Sequence, residues 1–258
     1  MKLRRAQSPD LPSLTALWTT CFGDREEDVW EFWKIFDKIS VFTALEDAPI
    51  AMACALPVTL FDGEGEGHTA VYLYAVCTEP QHRRQGVCAA LLAFAEQELK
   101  KDGVEICALV PSDGALFGFY EKLGYRTAFR QRRYSVESAR ADVKIRRISP
   151  AEYENLRQFS LYCDFISYPA PLSDLFPSCY RIETKDRIFC AAAEPRGETL
   201  RIAELLPDDA EAGAALAAHL GCQTAEVRTL GSELPFGMAK SLSDCPCPEN
   251  AYLGLAFD

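Results

Sequence analysis

Positive charge is scarce in this chain. Lysine and arginine together number 27 against 38 aspartates and glutamates, for a net charge of −11. The deficit runs throughout: residues 1–140 carry 16 basic and 20 acidic side chains (−4), and residues 141–258 carry 11 and 18 (−7). Such a chain repels a phosphate backbone, which argues against a nucleic-acid partner. If the carboxylates line a cleft they suit a cationic amine; ordinary solubility explains them equally well. Long apolar runs are also missing. No segment nears the roughly 18 residues that a membrane span needs, and Met1 opens no basic, apolar leader, so the expected location is cytoplasmic, with no membrane partner. Histidine is rare, and His68, His82 and His219 show no ligand spacing. Cysteine is not rare. The eleven are scattered through apolar runs (Cys54, Cys107, Cys190) rather than set as a framework, which implies reduced thiols in a bacterial cytosol. Cys245-Pro246-Cys247, a lone Cys-x-Cys without a second pair or a nearby histidine, is a poor zinc site, so it reads as a loop with two free thiols and no metal is expected.

What the sequence does contain is an anion-binding junction. Arg83-Arg84-Gln85-Gly86-Val87-Cys88 lies between an apolar, strand-like run from Ala70 to Cys77 and a helical run from Ala89 to Lys100. A helix start leaves its first N–H groups without intrahelical partners and carries about half a positive elementary charge, so a diphosphate can settle there. Gly86 has no Cβ to hold the phosphate off, and Arg83 and Arg84 bring forked donors to the same place. A phosphorylated cofactor is the expected ligand.

A second motif follows. Val104 to Val110 reads as a buried strand, and Gly114-Ala115-Leu116-Phe117-Gly118-Phe119-Tyr120-Glu121-Lys122-Leu123-Gly124-Tyr125 as a short helix closed by Gly124 in a left-handed cap. Together the two motifs resemble the GCN5-related N-acetyltransferase (GNAT) superfamily. Its pyrophosphate loop is matched by Arg83, Gly86 and Cys88, with a cysteine where a small residue is usual. The stretch Val76-Cys77-Thr78-Glu79-Pro80-Gln81-His82-Arg83-Arg84-Gln85-Gly86 is similar to the "enhanced intracellular survival" branch, although 258 residues leave no room for that branch's sterol-carrier-like domain.

The resemblance implies an acetyl-CoA-dependent N-acetyltransferase acting on a primary amine of a small molecule or peptide by direct attack in a ternary complex. The cofactor would be held by Val76, Cys77 and Thr78, whose strand splays from its neighbour, and by Arg83, Arg84, Gln85, Gly86, Val87, Cys88 and Ala89 at the loop and helix start. Tyr120 would give a proton to the departing thiolate; the plainer reading of Tyr120 is a half-buried aromatic. An acyl-cysteine at Cys77 or Cys88 is discounted, because a nearby diphosphate raises a thiol's pKa. In the resembling branch the terminal carboxylate serves as base, so Asp258, by its main-chain or side-chain carboxylate, is set against a purely structural last strand over the apolar tail from Tyr252. A rival reading is a non-catalytic acyl-CoA sensor, and the acyl chain length, the acceptor and the oligomeric state stay open.

The chain is long enough, and at 48% hydrophobic apolar enough, for two cores of ordinary size. Lys2-Leu3-Arg4-Arg5-Ala6-Gln7-Ser8-Pro9 is echoed by Lys144-Ile145-Arg146-Arg147-Ile148-Ser149-Pro150, each followed by a helix-like segment ending in Cys21 or Cys163. The expected class is α/β with a mixed sheet: a GNAT fold over residues 1–138, then a degenerate GNAT-like domain over 143–258. In the first half, strands are expected at 3–6, 41–46, 50–61 and 68–78, and helices at 11–22, 26–39 and 87–101, with Trp30 or Trp33 either core or acceptor wall. In the second, strands are expected at 181–194 and 198–206 and a helix at 210–220. Its counterpart of the phosphate loop, Pro207-Asp208-Asp209-Ala210-Glu211-Ala212-Gly213, would cap a helix and repel a diphosphate. Residues 164–180, rich in proline, read as a lid or a proline-stiffened surface loop. Arg126, Arg130, Arg132 and Arg133 share a strand, and those facing the cofactor could meet its ribose phosphate.

Overall fold

The computed structural model describes residues 1–256, except the side chain of Pro171. Its contacts divide the chain into two compact units, each drawn from separated stretches: residues 1–59, 68–126 and 238–247 form the first, and residues 60–67, 127–237 and 248–258 the second.

The first unit follows the periodicities of its sequence closely. Strand β1 (Lys2–Arg5) leads through helix α1 (Leu11–Phe22) and helix α2 (Glu26–Trp33) to strands β2 (Ser40–Leu45), β3 (Pro49–Phe61) and β4 (Gly67–Thr78). Helix α3 (Val87–Lys101), strand β5 (Ile106–Leu109) and helix α4 (Gly114–Lys122) complete the run. The expected single helix over 26–39 is shorter: α2 stops at Trp33, and only a 3-10 turn at Phe36–Lys38 follows. The strands lie in the order β1-β2-β3-β4-β5, and β5 is flanked by the last residues of a strand that arrives from the second unit, with Met238 opposite Leu109 and Ser241 opposite Ile106. Antiparallel pairs β1/β2 and β2/β3 and the parallel pair β4/β5 make the sheet mixed. Helix α3 packs on β1 and β2, burying Val87, Leu91, Leu92, Ala95 and Leu99, which recur at helical spacing.

In the second unit strand β6 (Arg126–Glu137) precedes strand β7 (Lys144–Ile148) and helix α5 (Pro150–Phe159). Strand β8 (Phe165–Ser167), helix α6 (Ala170–Ser173) and strands β9 (Ser178–Glu183), β10 (Ile188–Arg196) and β11 (Thr199–Leu206) follow. Helix α7 (Ala210–His219) and strand β12 (Thr224–Ser241) close the series. The order β7-β9-β10-β11-β12, with antiparallel β7/β9 and β9/β10 and parallel β11/β12, repeats the order and senses of β1 to β5. Helix α7 occupies the crossover that α3 occupies in the first unit.

Three expectations are corrected. The strand expected over 181–194 is a hairpin: the Thr184 hydroxyl accepts from Arg187 N at 3.0 Å, Thr184 N donates to Arg187 O at 3.0 Å, and the chain reverses between β9 and β10. Residues 164–180 are neither lid nor surface loop. Phe165, Ile166, Tyr168 and Leu172 are buried, and the Phe165 ring stacks on Phe61 at 5.5 Å between centroids. The tail from Tyr252 is buried through Ala256, yet it is not a strand; isolated bridges join Ala251 to Phe129 and Tyr252 to Phe165, and Gly254 sits at φ +73°. Strand β12 carries no pattern that the sequence analysis picks out, since Gly231, Pro235 and Gly237 interrupt its alternation.

Candidate functional site

The site begins where β4 and β5 part. Their parallel register runs from Ala70 opposite Ile106 to Leu73 opposite Leu109 and goes no further, while β4 continues to Thr78. Ala75 takes φ +50° in the continuing segment, a left-handed conformation that re-aims the strand. Val76, Cys77 and Thr78 therefore lie on the stretch of β4 beyond the paired region. Arg83 turns back toward it, with Nε donating to Thr78 O at 3.0 Å.

The loop then delivers the start of α3. Gln85 Nε2 donates to Gln81 O at 2.8 Å, Arg84 takes φ +62°, and Gly86 takes φ +80° as the residue that caps the helix. Nothing lies within 4 Å of a Cβ added at Gly86, so the demand for glycine here is set by backbone conformation and by whatever must approach from outside. Because Gly86 has no side chain, it gives no capping oxygen to the N–H groups that open the helix at Val87, Cys88 and Ala89. Arg83, Arg84, Gln85 and Gly86 are exposed, whereas Val87 is buried and anchors the helix start in the core. Exposed guanidinium groups beside an uncapped helix start fit a diphosphate.

Helix α4 brings Tyr120 into the same core cluster as Val87, with Cys88 packed against it. Asp113 caps α4, accepting from Ala115 N at 2.8 Å and Leu116 N at 3.1 Å, and Gly124 follows its end at φ +91°. The Tyr120 ring stands edge-on to Phe119 and Tyr125. Burial raises the Tyr120 phenol above its ordinary pKa, and the nearby Cys88 and Asp113 push the same way. It stays protonated at neutral pH.

The thiols divide. Burial pushes Cys88 up to about 11, which removes it as a nucleophile. Cys21, at the end of α1, donates to Thr78 O at 3.6 Å; the neighbouring Cys77 thiol, with Arg83 helping, lowers Cys21 to about 7, while Cys21 and burial raise Cys77. Cys21 was not legible as a site residue, because its partners come from other elements. Glu96 was not legible either: this buried carboxylate of α3 accepts from Tyr125 Oη at 2.8 Å and pairs with Lys240 at 2.5 Å. A lone glutamate on an otherwise apolar helix face was its only signal.

Other expected residues fall elsewhere. Trp33 is core, with Nε1 donating to Thr15 Oγ1 at 2.9 Å, in an aromatic cluster with Trp18 and Phe32 that reaches Tyr74 of β4. Trp30 is exposed. Arg130, Arg132 and Arg133 are engaged within the second unit, by Ser232 O, by Asp208 and over the Phe236 ring respectively, which leaves only Arg126 of that set in the first. Asp258 lies outside the described residues. At the start of α7, Asp209 accepts from Ala212 N at 2.9 Å, and Asp208 is held by Arg132 and Tyr134, so carboxylates fill the position that Gly86 leaves open in α3.

Residues 2–128 match the family model described as an acetyltransferase (GNAT) domain. No curated protein matches. Among solved structures, a probable N-acyltransferase from Enterococcus faecalis superposes with a TM-score of 0.72 at 17% identity, over 93% of this chain and 72% of that one. A GCN5-related N-acetyltransferase from Anabaena variabilis gives 0.70 at 19% identity over 95% and 73%, and Eis1 from Mycobacterium abscessus gives 0.61 at 15% over 88% and 65%. At such identities the likeness is one of fold. With the family match over the stretch that carries the uncapped helix start, residues 2–128 of this chain are identified as a domain of the acetyltransferase (GNAT) type.

Proposed function

We propose that the protein transfers an acetyl group from acetyl-CoA to a primary amine of a small molecule or peptide, by direct attack in a ternary complex. The observation that carries this reading is the start of α3, where a left-handed Gly86 leaves the helix without a capping side chain beside Arg83 and Arg84. There the N–H groups of Val87, Cys88 and Ala89 would take the diphosphate, with Gln85 shaping the loop. Main-chain groups of Val76, Cys77 and Thr78, beyond the last β4/β5 pair, would hold the pantetheine arm and polarise the thioester carbonyl. Tyr120 would protonate the departing thiolate; what supports that role is its place on α4 in the core cluster that also holds Val87 and packs Cys88. The Asp258 carboxylate is our choice of base for the attacking amine. The carboxylate cap of α7 supports assigning cofactor binding to residues 1–138 and a scaffold role to the degenerate repeat over 143–258.

The test is chromatographic detection of free CoA from acetyl-CoA with a panel of amines: aminoglycosides, polyamines, amino acids and peptides. Amine-dependent CoA release with matching acetylated product is expected. Tight acetyl-CoA binding with no release across the panel would contradict catalysis and favour a sensor.

A further inference from the structure

At the opposite end of β4 from the candidate site, three metal-ligating side chains converge. His68 opens β4, Glu105 immediately precedes β5, and Cys245 lies in the loop that follows β12; all three belong to the first unit. Cys245 Sγ is 3.5 Å from His68 Nδ1, Glu105 Oε1 is 3.8 Å from the same nitrogen, and one ligand atom from each residue lies within 4.8 Å of the other two. Zinc bonds of about 2.0–2.3 Å at tetrahedral angles hold neighbouring ligand atoms roughly 3.3–3.7 Å apart. The two separations from His68 Nδ1 are near those edges, and the third, between Glu105 and Cys245, lies within 4.8 Å, so coordination requires Glu105 and Cys245 to close on the ion from either side of the imidazole.

The donors and their supports fit the same ion. Imidazole, carboxylate and thiolate form a borderline-soft set that suits zinc and disfavours magnesium or calcium. Glu105 Oε2 accepts from Thr69 N at 2.8 Å, which fixes the carboxylate from behind. The loop carrying Cys245 is pinned from both sides: Cys245 N donates to Ser243 Oγ at 3.1 Å, and Ser241 Oγ donates to Cys245 O at 2.6 Å. The half-buried positions of His68 and Cys245 leave a path for an ion.

We infer that His68, Glu105 and Cys245 form a zinc site that staples the start of β4 and the start of β5 to the loop after β12. The parallel register of β4 and β5 begins at Ala70 opposite Ile106, directly beyond two of these ligands. The metal would therefore fix the closed end of the two strands whose other ends part at the candidate site. With three protein ligands the fourth position would be left to water, and the site stands whether or not acetyl transfer is the function.

The test uses the full chain, stripped with a chelator under reducing conditions and titrated with cobalt(II) and then zinc(II). Elemental analysis should give one zinc per chain, and cobalt should produce a thiolate charge-transfer band with the visible absorption of a tetrahedral ion, bleached by zinc. Because eleven cysteines can bind zinc without a built site, His68→Gln is the decisive variant: it keeps every thiol and should weaken zinc binding at least tenfold, as should Cys245→Ser. Glu105→Gln, at a partly exposed position, serves as a third variant should one of these lose its fold by circular dichroism. No tetrahedral cobalt spectrum in the wild type, or zinc affinity unchanged in a folded His68→Gln or Glu105→Gln chain, overturns the site.

Discussion

In the proposed reaction Tyr120 is the residue that gives a proton to the departing thiolate. Replacing it with phenylalanine removes one oxygen from a core position and leaves the ring packing of Phe119 and Tyr125 in place, so the fold should survive. If the phenol protonates the departing thiolate, turnover at saturating substrates should fall by about 10²-fold or more while the KM for acetyl-CoA hardly moves. Steady-state kinetics read both numbers, and equal turnover in the variant would return Tyr120 to the core. Cys21 makes a second prediction at this scale. Its pKa is lowered to about 7 by Cys77 and Arg83, so the thiolate fraction rises with pH through neutrality. Alkylation followed by peptide mass spectrometry should label Cys21 first, slowly well below pH 7 and at a plateau above it; buried Cys54 and Cys107, raised by desolvation, should lag. The helix start at Gly86 and the short helix that carries Tyr120 were legible in the sequence because a loop motif and a helix ending are local patterns. Cys21 and Glu96 were not, because what makes each unusual is a neighbour from a distant stretch of chain.

Elements were legible where one face is apolar and the other is not. Helices α1 and α3 match their expected bounds, and the strands of the first half fall within a residue or two, since burial on one face imposes a period that the sequence displays. The hairpin of β9 and β10 was missed because Thr184 to Arg187 hold no glycine or proline; the turn is made by a threonine hydroxyl. Helix α7 shows what the repeat has altered. Its start is capped by Asp209, where α3 has Gly86 and no cap. Asp209→Ala should lower stability by about 1 kcal/mol, measured by urea unfolding, without changing acetyl-CoA affinity. A loss of affinity would mean that the second repeat contributes to the cofactor site after all.

For the chain as a whole, the duplicated opening at Lys2 and Lys144 foretold a repeated strand order, which the sheets of the two units display. What it did not foretell is the buried ion pair at the centre of the second unit. Arg157 and Glu204 are both fully buried; Arg157 Nε donates to Glu204 Oε2 at 2.8 Å, and Nη2 donates to Leu253 O at 3.0 Å. The rings of Phe165, Tyr168 and Tyr252 surround the guanidinium. A Cβ at Gly254 would fall 1.9 Å from Glu204 Oε1, so the tail closes over the pair only with glycine there. A glutamate in the apolar run Ile202-Ala203-Glu204-Leu205-Leu206 was the one visible sign. Glu204→Gln leaves the buried Arg157 charge with only the Glu154 carboxylate, 3.6 Å from Nη1, and should cost about 3 kcal/mol in urea unfolding. A cost below about 1 kcal/mol would show that water or another carboxylate compensates the arginine.

The central claim is that the diphosphate of acetyl-CoA docks on the uncapped start of α3. Titration calorimetry with acetyl-CoA, run on the wild-type chain and on a folded Gly86→Val variant, tests it most directly. Valine at φ +80° is strained and sets methyl groups in the path of the phosphates. One-to-one binding to the wild type, weakened at least tenfold in the variant, is the predicted result; no binding heat in the wild type, or equal affinity in both, would contradict the account.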